Sequence, residues 1–220
     1  MSTLMTSPED RHIAESVGSS SVAEIVGGIA AIVLAVLGLA NVNPTLMLPI
    51  ATIAIGVAFL FEGGSIVAEY TDVISKSTET GAQVMEVGSG MTAEVVAGIA
   101  GIVLGILALL GLTSIILVAS ALIVYGTALA LSSGMMSRLN DLKIEVSGAN
   151  ATAQKFAHEA VSATMGTQVL VGLAAGVLGI LALIGIAPTV LVLVGLLAIG
   201  VSQILSGSAV GTRLISMFRR

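Results

Sequence analysis

The 220-residue chain has no cysteine and no tryptophan, only two tyrosines and four phenylalanines, and 10% charged residues. Without cysteine there can be no disulfide, no thiolate metal site and no cysteine nucleophile. So few charges cannot hydrate the surface of an ordinary soluble domain of this length. The basic residues form no stripe with interleaved aromatics, so nucleic acid is not an expected partner. Nucleophile elbow, phosphate loop, dinucleotide fingerprint and metal motif are all missing, and the sequence predicts neither an enzyme nor a cofactor. His12 and His158 stand alone in polar segments, with no second histidine or paired carboxylate at ligand spacing.

What the chain has in quantity is aliphatic surface: 56% of residues are hydrophobic and the mean hydropathy is +1.10. Ile25 to Phe61, Val95 to Ser137 and Ala160 to Thr212 contain no Asp, Glu, Lys or Arg. Each is long enough for two helical crossings of about 17–20 residues. The expected class is an all-α integral membrane protein with six transmembrane helices in a cell (inner or plasma) membrane. The N-terminal "MSTLMTSPEDRHIAES" has an acidic cluster and no basic n-region, so it does not read as a cleaved signal peptide.

A shift of 70 residues lays "VGSSSVAEIVGGIAAIVLAVLGL", from Val17, on "VGSGMTAEVVAGIAGIVLGILAL", from Val87. A further 74 reaches "VSATMGTQVLVGLAAGVLGILAL", from Val161. These shifts superpose Glu24, Glu94 and Gln168, then Gly28, Gly98 and Gly172, and also Gly56, Gly126 and Gly200. Coincidence over such lengths is an internal repeat. Each unit reads as two spans around a tight turn: "ANVNP" at 40–44, "GLTS" at 111–114 and "GIAP" at 185–188. Pro, Gly and Asn there stop one helix and start the next. The expected spans are 22–39, 45–61, 92–111, 115–133, 167–185 and 189–207. They make three hairpins, 22–61, 92–133 and 167–208, flanked by a polar tail (1–21), two connectors (62–91 and 134–166) and a basic tail (209–220).

All eight basic residues fall in the tails or connectors, Arg11, Lys76, Arg138, Lys143, Lys155, Arg213, Arg219 and Arg220. The positive-inside bias then puts both termini and both connectors in the cytoplasm. The connectors carry apolar residues at helical spacing, Ile66, Tyr70, Val73 and Ile74 in the first and Met135, Leu139, Leu142 and Val146 in the second, with Asn150 as an N-cap for the stripe that resumes at Phe156. They read as helical extensions that fold back or lie on the membrane surface, either merely linking the units or offering a docking or self-association surface.

Two sets of residues stand out from the aliphatic background. Gly28, Ala31 and Ala35, with Gly98, Gly101 and Gly105 and with Gly172, Ala175 and Gly179, recur at spacings of three and four and form one small-residue face per unit. In lipid such faces let helix backbones approach closely, within one chain or between chains. Glu24, Glu94 and Gln168 are the candidate cation or proton site, a thrice-repeated acid, acid and amide near one membrane boundary. The competing reading places each in the first turns of a span, where the helix dipole favours a carboxylate, and "SVAE" at 21–24 has capping-box spacing. "MTAE" and "MGTQ" lack the Ser or Thr three residues earlier, so a box explains one copy of three. Glu62 reads as the end of a helix, reaching headgroup water. Tyr125 and Gln203 read as interhelical hydrogen-bonding groups.

"GIAGIVLGILALLG" and "GLAAGVLGILALIGIAP", with their glycine-led helix, Pro-terminated turn and a second helix carrying a central Gly such as Gly200, resemble the repeats of the HdeD family of acid-resistance membrane proteins. The resemblance covers the membrane parts. It implies three hairpins in six spans and a stress-related role, and supplies no catalytic residue. With few aromatics to mark the interfaces, part of the perimeter is expected to be covered by protein. The functional expectation is a non-enzymatic structural or accessory protein in the lipid bilayer, a homo-oligomer or bound to a membrane partner. The alternative is a channel or transporter for protons or small solutes that uses Glu24, Glu94 and Gln168.

Overall fold

The computed structural model describes the backbone of residues 8–76, 81–146 and 151–218, and the side chains of residues 22–64, 93–133 and 166–208. The described residues form six α-helices and no strand: α1 (Pro8–Leu39), α2 (Pro44–Lys76), α3 (Gly81–Leu109), α4 (Ser114–Val146), α5 (Ala151–Leu183) and α6 (Pro188–Phe218). Five are long and apolar enough to cross a membrane, through Val22–Leu39, Pro44–Gly64, Ser114–Ser133, Gly166–Leu183 and Pro188–Ser208. The apolar part of α3, Ala93–Leu109, is shorter.

Sequence dictates the turns. After α1, α3 and α5 the chain turns through Asn41, Gly111 and Gly185, all at positive φ (62°, 85° and 94°). Val42, Leu112 and Ile186 then donate back to Leu37, Leu107 and Leu181, five residues earlier, at 2.9, 3.3 and 3.1 Å. This left-handed cap suits Gly and Asn, and it satisfies carbonyls that would otherwise face hydrocarbon or headgroups unpaired. Pro44 and Pro188 open the following helices, where a missing N–H costs nothing.

The helices close into a ring. α1 packs on α2 and α6, α3 on α2 and α4, and α5 on α4 and α6, while α2, α4 and α6 touch one another at the centre. The central trio fills the axis with fully buried Ile55, Phe59, Leu122, Tyr125, Leu129, Leu196, Ile199 and Gln203. Phe59 stacks on Tyr125 with ring centroids 5.1 Å apart. The Tyr125 hydroxyl donates to Thr52 O at 2.7 Å, tying α4 to α2. The outer helices turn Val26, Ile29 and Val33 of α1 outward, as they do Val96, Ile99 and Val103 of α3 and Leu170, Leu173 and Val177 of α5. Apolar residues on the outside and tight packing within suit a molecule whose solvent is lipid.

The helix ends depart from expectation at one end of the ring only. At the turns the forecast spans end within two residues of the observed helices. At the opposite end α2 and α4 run unbroken past Phe61 and Ser133 to Lys76 and Val146, and α1, α3 and α5 begin well before Val22, Thr92 and Thr167. Helices of 29–33 residues reach about 44–50 Å, more than a hydrocarbon core of about 30 Å requires. The polar connector residues therefore continue the helices without a break at Glu62 or Gly134. Asn150 and the "SGAN" break lie outside the described residues, as do the side chains of the connector stripes and of His12 and His158.

Candidate functional site

The small-residue faces meet helices of the same chain. A Cβ on Gly98 would lie 2.7 Å from Gly56 O, and one on Gly28 would lie 2.7 Å from Gly200 O. The third copy repeats the arrangement: a Cβ on Gly172 would lie 2.6 Å from Gly126 O. One turn further on, Gly105 faces Ile53 and Pro49 O, and Gly179 faces Ile123 and Ala119 O, while Ala31, Ala35 and Ala175 are fully buried. The first helix of each pair thus lies backbone to backbone against the second helix of the preceding pair, and α1 completes the circle on α6. A face consumed in this way has no surface left for a second protein, so any association uses other surfaces.

At the connector end of these seams sit the acids. Glu24 and Glu94 are buried, 5% and 3% exposed, and Gln168 is half-buried. All three lie near the midpoints of α1, α3 and α5. This corrects the capping reading: a carboxylate that far from the N-terminus gains little from the dipole, and Ser21 precedes Glu24 within a continuous helix. Glu62 likewise lies within α2 rather than at its end, with Oε2 closed off from solvent.

Neighbouring hydroxyls serve this layer. Ser206 of α6 donates to Glu24 Oε1, and Ser132 of α4, whose hydroxyl donates to Leu129 O at 3.3 Å, stands beside the Glu94 carboxyl. The Ser133 hydroxyl shares its proton between Leu129 O at 2.7 Å and Gln168 Oε1 at 3.2 Å. Glu62 lies within electrostatic reach of Glu94 and, more weakly, Glu24, and Glu24 also feels Glu94. The described segments 22–64, 93–133 and 166–208 contain no Lys, Arg or His. The acids at 24 and 94 and the amide at 168 therefore do not point separately at water. Each has a serine of an inner helix beside it, at one end of the ring.

Sequence reasoning left Glu62, Ser132, Ser133 and Ser206 out of the site, although positions 62, 132 and 206 coincide under the same two shifts. It also paired Gln203 with a neighbouring helix. Gln203 is instead 1% exposed with neither amide atom bonded, and the buried hydroxyl of Ser202 is likewise unbonded. Phe59 and Leu129 stand at the positions equivalent to Gln203, so its surroundings are apolar and offer no partner. Tyr125 does bond across helices, to a backbone carbonyl.

Among the described residues no three His, Asp or Glu side chains stand close enough to hold a metal ion. Comparison with protein-family models, curated proteins and solved structures returns no match.

Proposed function

We propose that the chain is a six-span, non-enzymatic integral membrane protein, built as three hairpin repeats around a threefold pseudo-axis, that serves as a structural or accessory component of a cell membrane. The observation that carries the reading is the set of three glycine contacts, 28 with 200, 98 with 56 and 172 with 126, which the shifts of 70 and 74 interconvert. A repeat in sequence that becomes a repeat in packing supports one duplicated building block. The 17 apolar residues of α3 fall within the range that can span a bilayer, so α3 counts as the sixth crossing. The basic residues of the tails and connectors favour a cytoplasmic placement for that end.

Because the seams are used within the chain, self-association or a membrane partner would engage the lipid-facing rows or the cytoplasmic extensions. The stress-related role belongs to this proposal through the resemblance of the hairpins to the HdeD family. Against conduction along the axis stand the side chains that fill it, Ile55, Phe59, Tyr125 and Leu129 among them. Two measurements test the reading. Proteoliposomes should show no flux of protons, alkali cations or small solutes, and measurable flux abolished by Glu94→Gln would replace it with transport. Mass measurement in native lipid discs should show a species larger than one chain or a co-purified partner, and a monodisperse monomer would remove the associative role.

A further inference from the structure

The hairpin turns are apolar and outward-facing at once. Leu110 (72% exposed) and Ile184 (69%) are among the three most exposed large apolar side chains of the described residues, and Val42, Leu112 and Ile186 stand exposed beside them. No Asp, Glu, Lys or Arg occurs within 25–61, 95–137 or 160–212, so no charge accompanies these side chains. A loop that projected into water would gain nothing from such residues. The turns also continue the rows that face outward along the helices. On α1 the exposed Val36 and Leu39 lead to Val42, and the shifts of 70 and 74 repeat the row as Ile106, Leu109 and Leu112 and as Ile180, Leu183 and Ile186. The backbone asks little of water there, because residues 40–42, 110–112 and 184–186 each donate back to a carbonyl of the helix just ended.

We infer that the turn face is a lipid-binding surface: the three turns are seated among the headgroups of the leaflet opposite the connectors, with their aliphatic side chains against the upper acyl chains. The inference rests on the membrane-spanning reading above. Depth is set by the polar groups that remain, all uncharged. Asn41, Asn43 and Thr113 are exposed, and the first N–H groups of α2, α4 and α6 have no partner within their own helices. These need headgroup oxygens or interfacial water, which stops the turns short of the hydrocarbon. The occupant is lipid rather than protein because the face is continuous with the lipid-facing rows and has no charge with which to select a partner. At that depth the turns stay within reach of small solutes from the far aqueous phase, yet offer no surface to a soluble protein there. A partner would have to approach within the membrane or from the connector end.

The test places the fluorophore NBD on single thiols of the full-length protein in vesicles of phosphatidylcholine and phosphatidylglycerol. Val42→Cys, Leu112→Cys and Ile186→Cys report on the turns, and Val103→Cys, exposed in the middle of α3, is the reference. Quenching is read with iodide from water and with phosphatidylcholine carrying a nitroxide high on its acyl chain. At all three turns the nitroxide lipid is expected to quench strongly, and iodide to quench severalfold less than it quenches the same dye on free cysteine in buffer. Strong iodide quenching without nitroxide quenching would make the turns solvated loops and overturn the inference. Quenching by neither would mean that protein covers the face, and overturns it equally. The two readings fail apart. If lipid quenches at Val103 but not at the turns, only the seating of the turns is lost, whereas strong iodide quenching at Val103 removes the membrane-spanning reading itself.

Discussion

Gly101 owes its missing side chain to Tyr125: a Cβ at that position would collide with the Tyr125 phenol, whose hydroxyl reaches past α3 to Thr52 O. The two equivalent pairs are Ala31 with Ile55 and Ala175 with Ile199, all fully buried. The larger residue and the smaller one have been exchanged together. Gly101→Ala should therefore destabilise the protein by about 1–3 kcal/mol through overpacking. Tyr125→Ile should cost a comparable amount. The double variant, which restores the pairing of the other two units, should lose at least about 1 kcal/mol less than the sum of the two, as read from unfolding midpoints in detergent. Additive losses would mean that the two positions are not coupled.

The seam glycines should differ sharply from glycines that face open space. A Cβ on Gly172 meets backbone, Gly126 O at 2.6 Å and Ala130 N at 2.9 Å, and backbone cannot rotate away. Nothing lies within 4 Å of a Cβ on Gly176. Gly172→Ala is expected to lower the unfolding midpoint, whereas Gly176→Ala should leave it unchanged or raise it by up to about 1 kcal/mol of helix propensity. Equal effects at the two positions would argue that α4 and α5 do not meet in this way.

Ser206→Ala should destabilise the protein by about 1–3 kcal/mol, because it strips the buried Glu24 carboxyl of its donor. Thr127→Ala, which removes an exposed hydroxyl bonded only to the preceding turn at Val124 O, provides the comparison and should fall within about 0.5 kcal/mol of wild type. A double cycle with Glu24→Gln, run by chemical denaturation in mixed micelles, reports the coupling directly. Coupling near zero would separate Ser206 from Glu24.

A chain without cysteine is well suited to mapping by single introduced thiols. Val42→Cys, Leu112→Cys and Ile186→Cys, at the three exposed turns, should all react with an impermeant reagent from the non-cytoplasmic side. Were α3 to stop short of crossing, positions 42 and 112 would label from opposite sides.

Much of the fold was legible because its signals are local. Asn41, Gly111, Gly185, Pro44 and Pro188 mark turns through backbone conformation alone, and the spacing of Gly98, Gly101 and Gly105 marks a packing face whatever it packs on. The other ends were legible in part: the apolar stripes of the connectors read as helical extensions, but not as continuous with the spans, and a helix already formed on a packed partner extends at small cost, so that Glu24 and Glu94 moved from apparent caps to helix midpoints. That displacement decides the chemistry of the site, since a cap would have placed the carboxyl in water. Ser132 and Ser206 coincide with Glu62 in the repeat but were left out of the site, because serine is common in any span and only the ring brings them beside the acids. Gln203 was misjudged for a related reason: the sequence shows a polar group that needs a partner, while only the packing shows that Phe59 and Leu129 take the places from which one would come.

The contact between Gly28 and Gly200 has a consequence for biogenesis. α1 is made before α6, so the glycine face of α1 stays uncovered until α6 has been synthesised and inserted. The other two seams, α2 with α3 and α4 with α5, join neighbours in sequence and can form as each pair is inserted. A nascent chain that lacks α6 would therefore expose one smooth strip to quality-control proteases and to helices of other proteins, and only the arrival of α6 hides it.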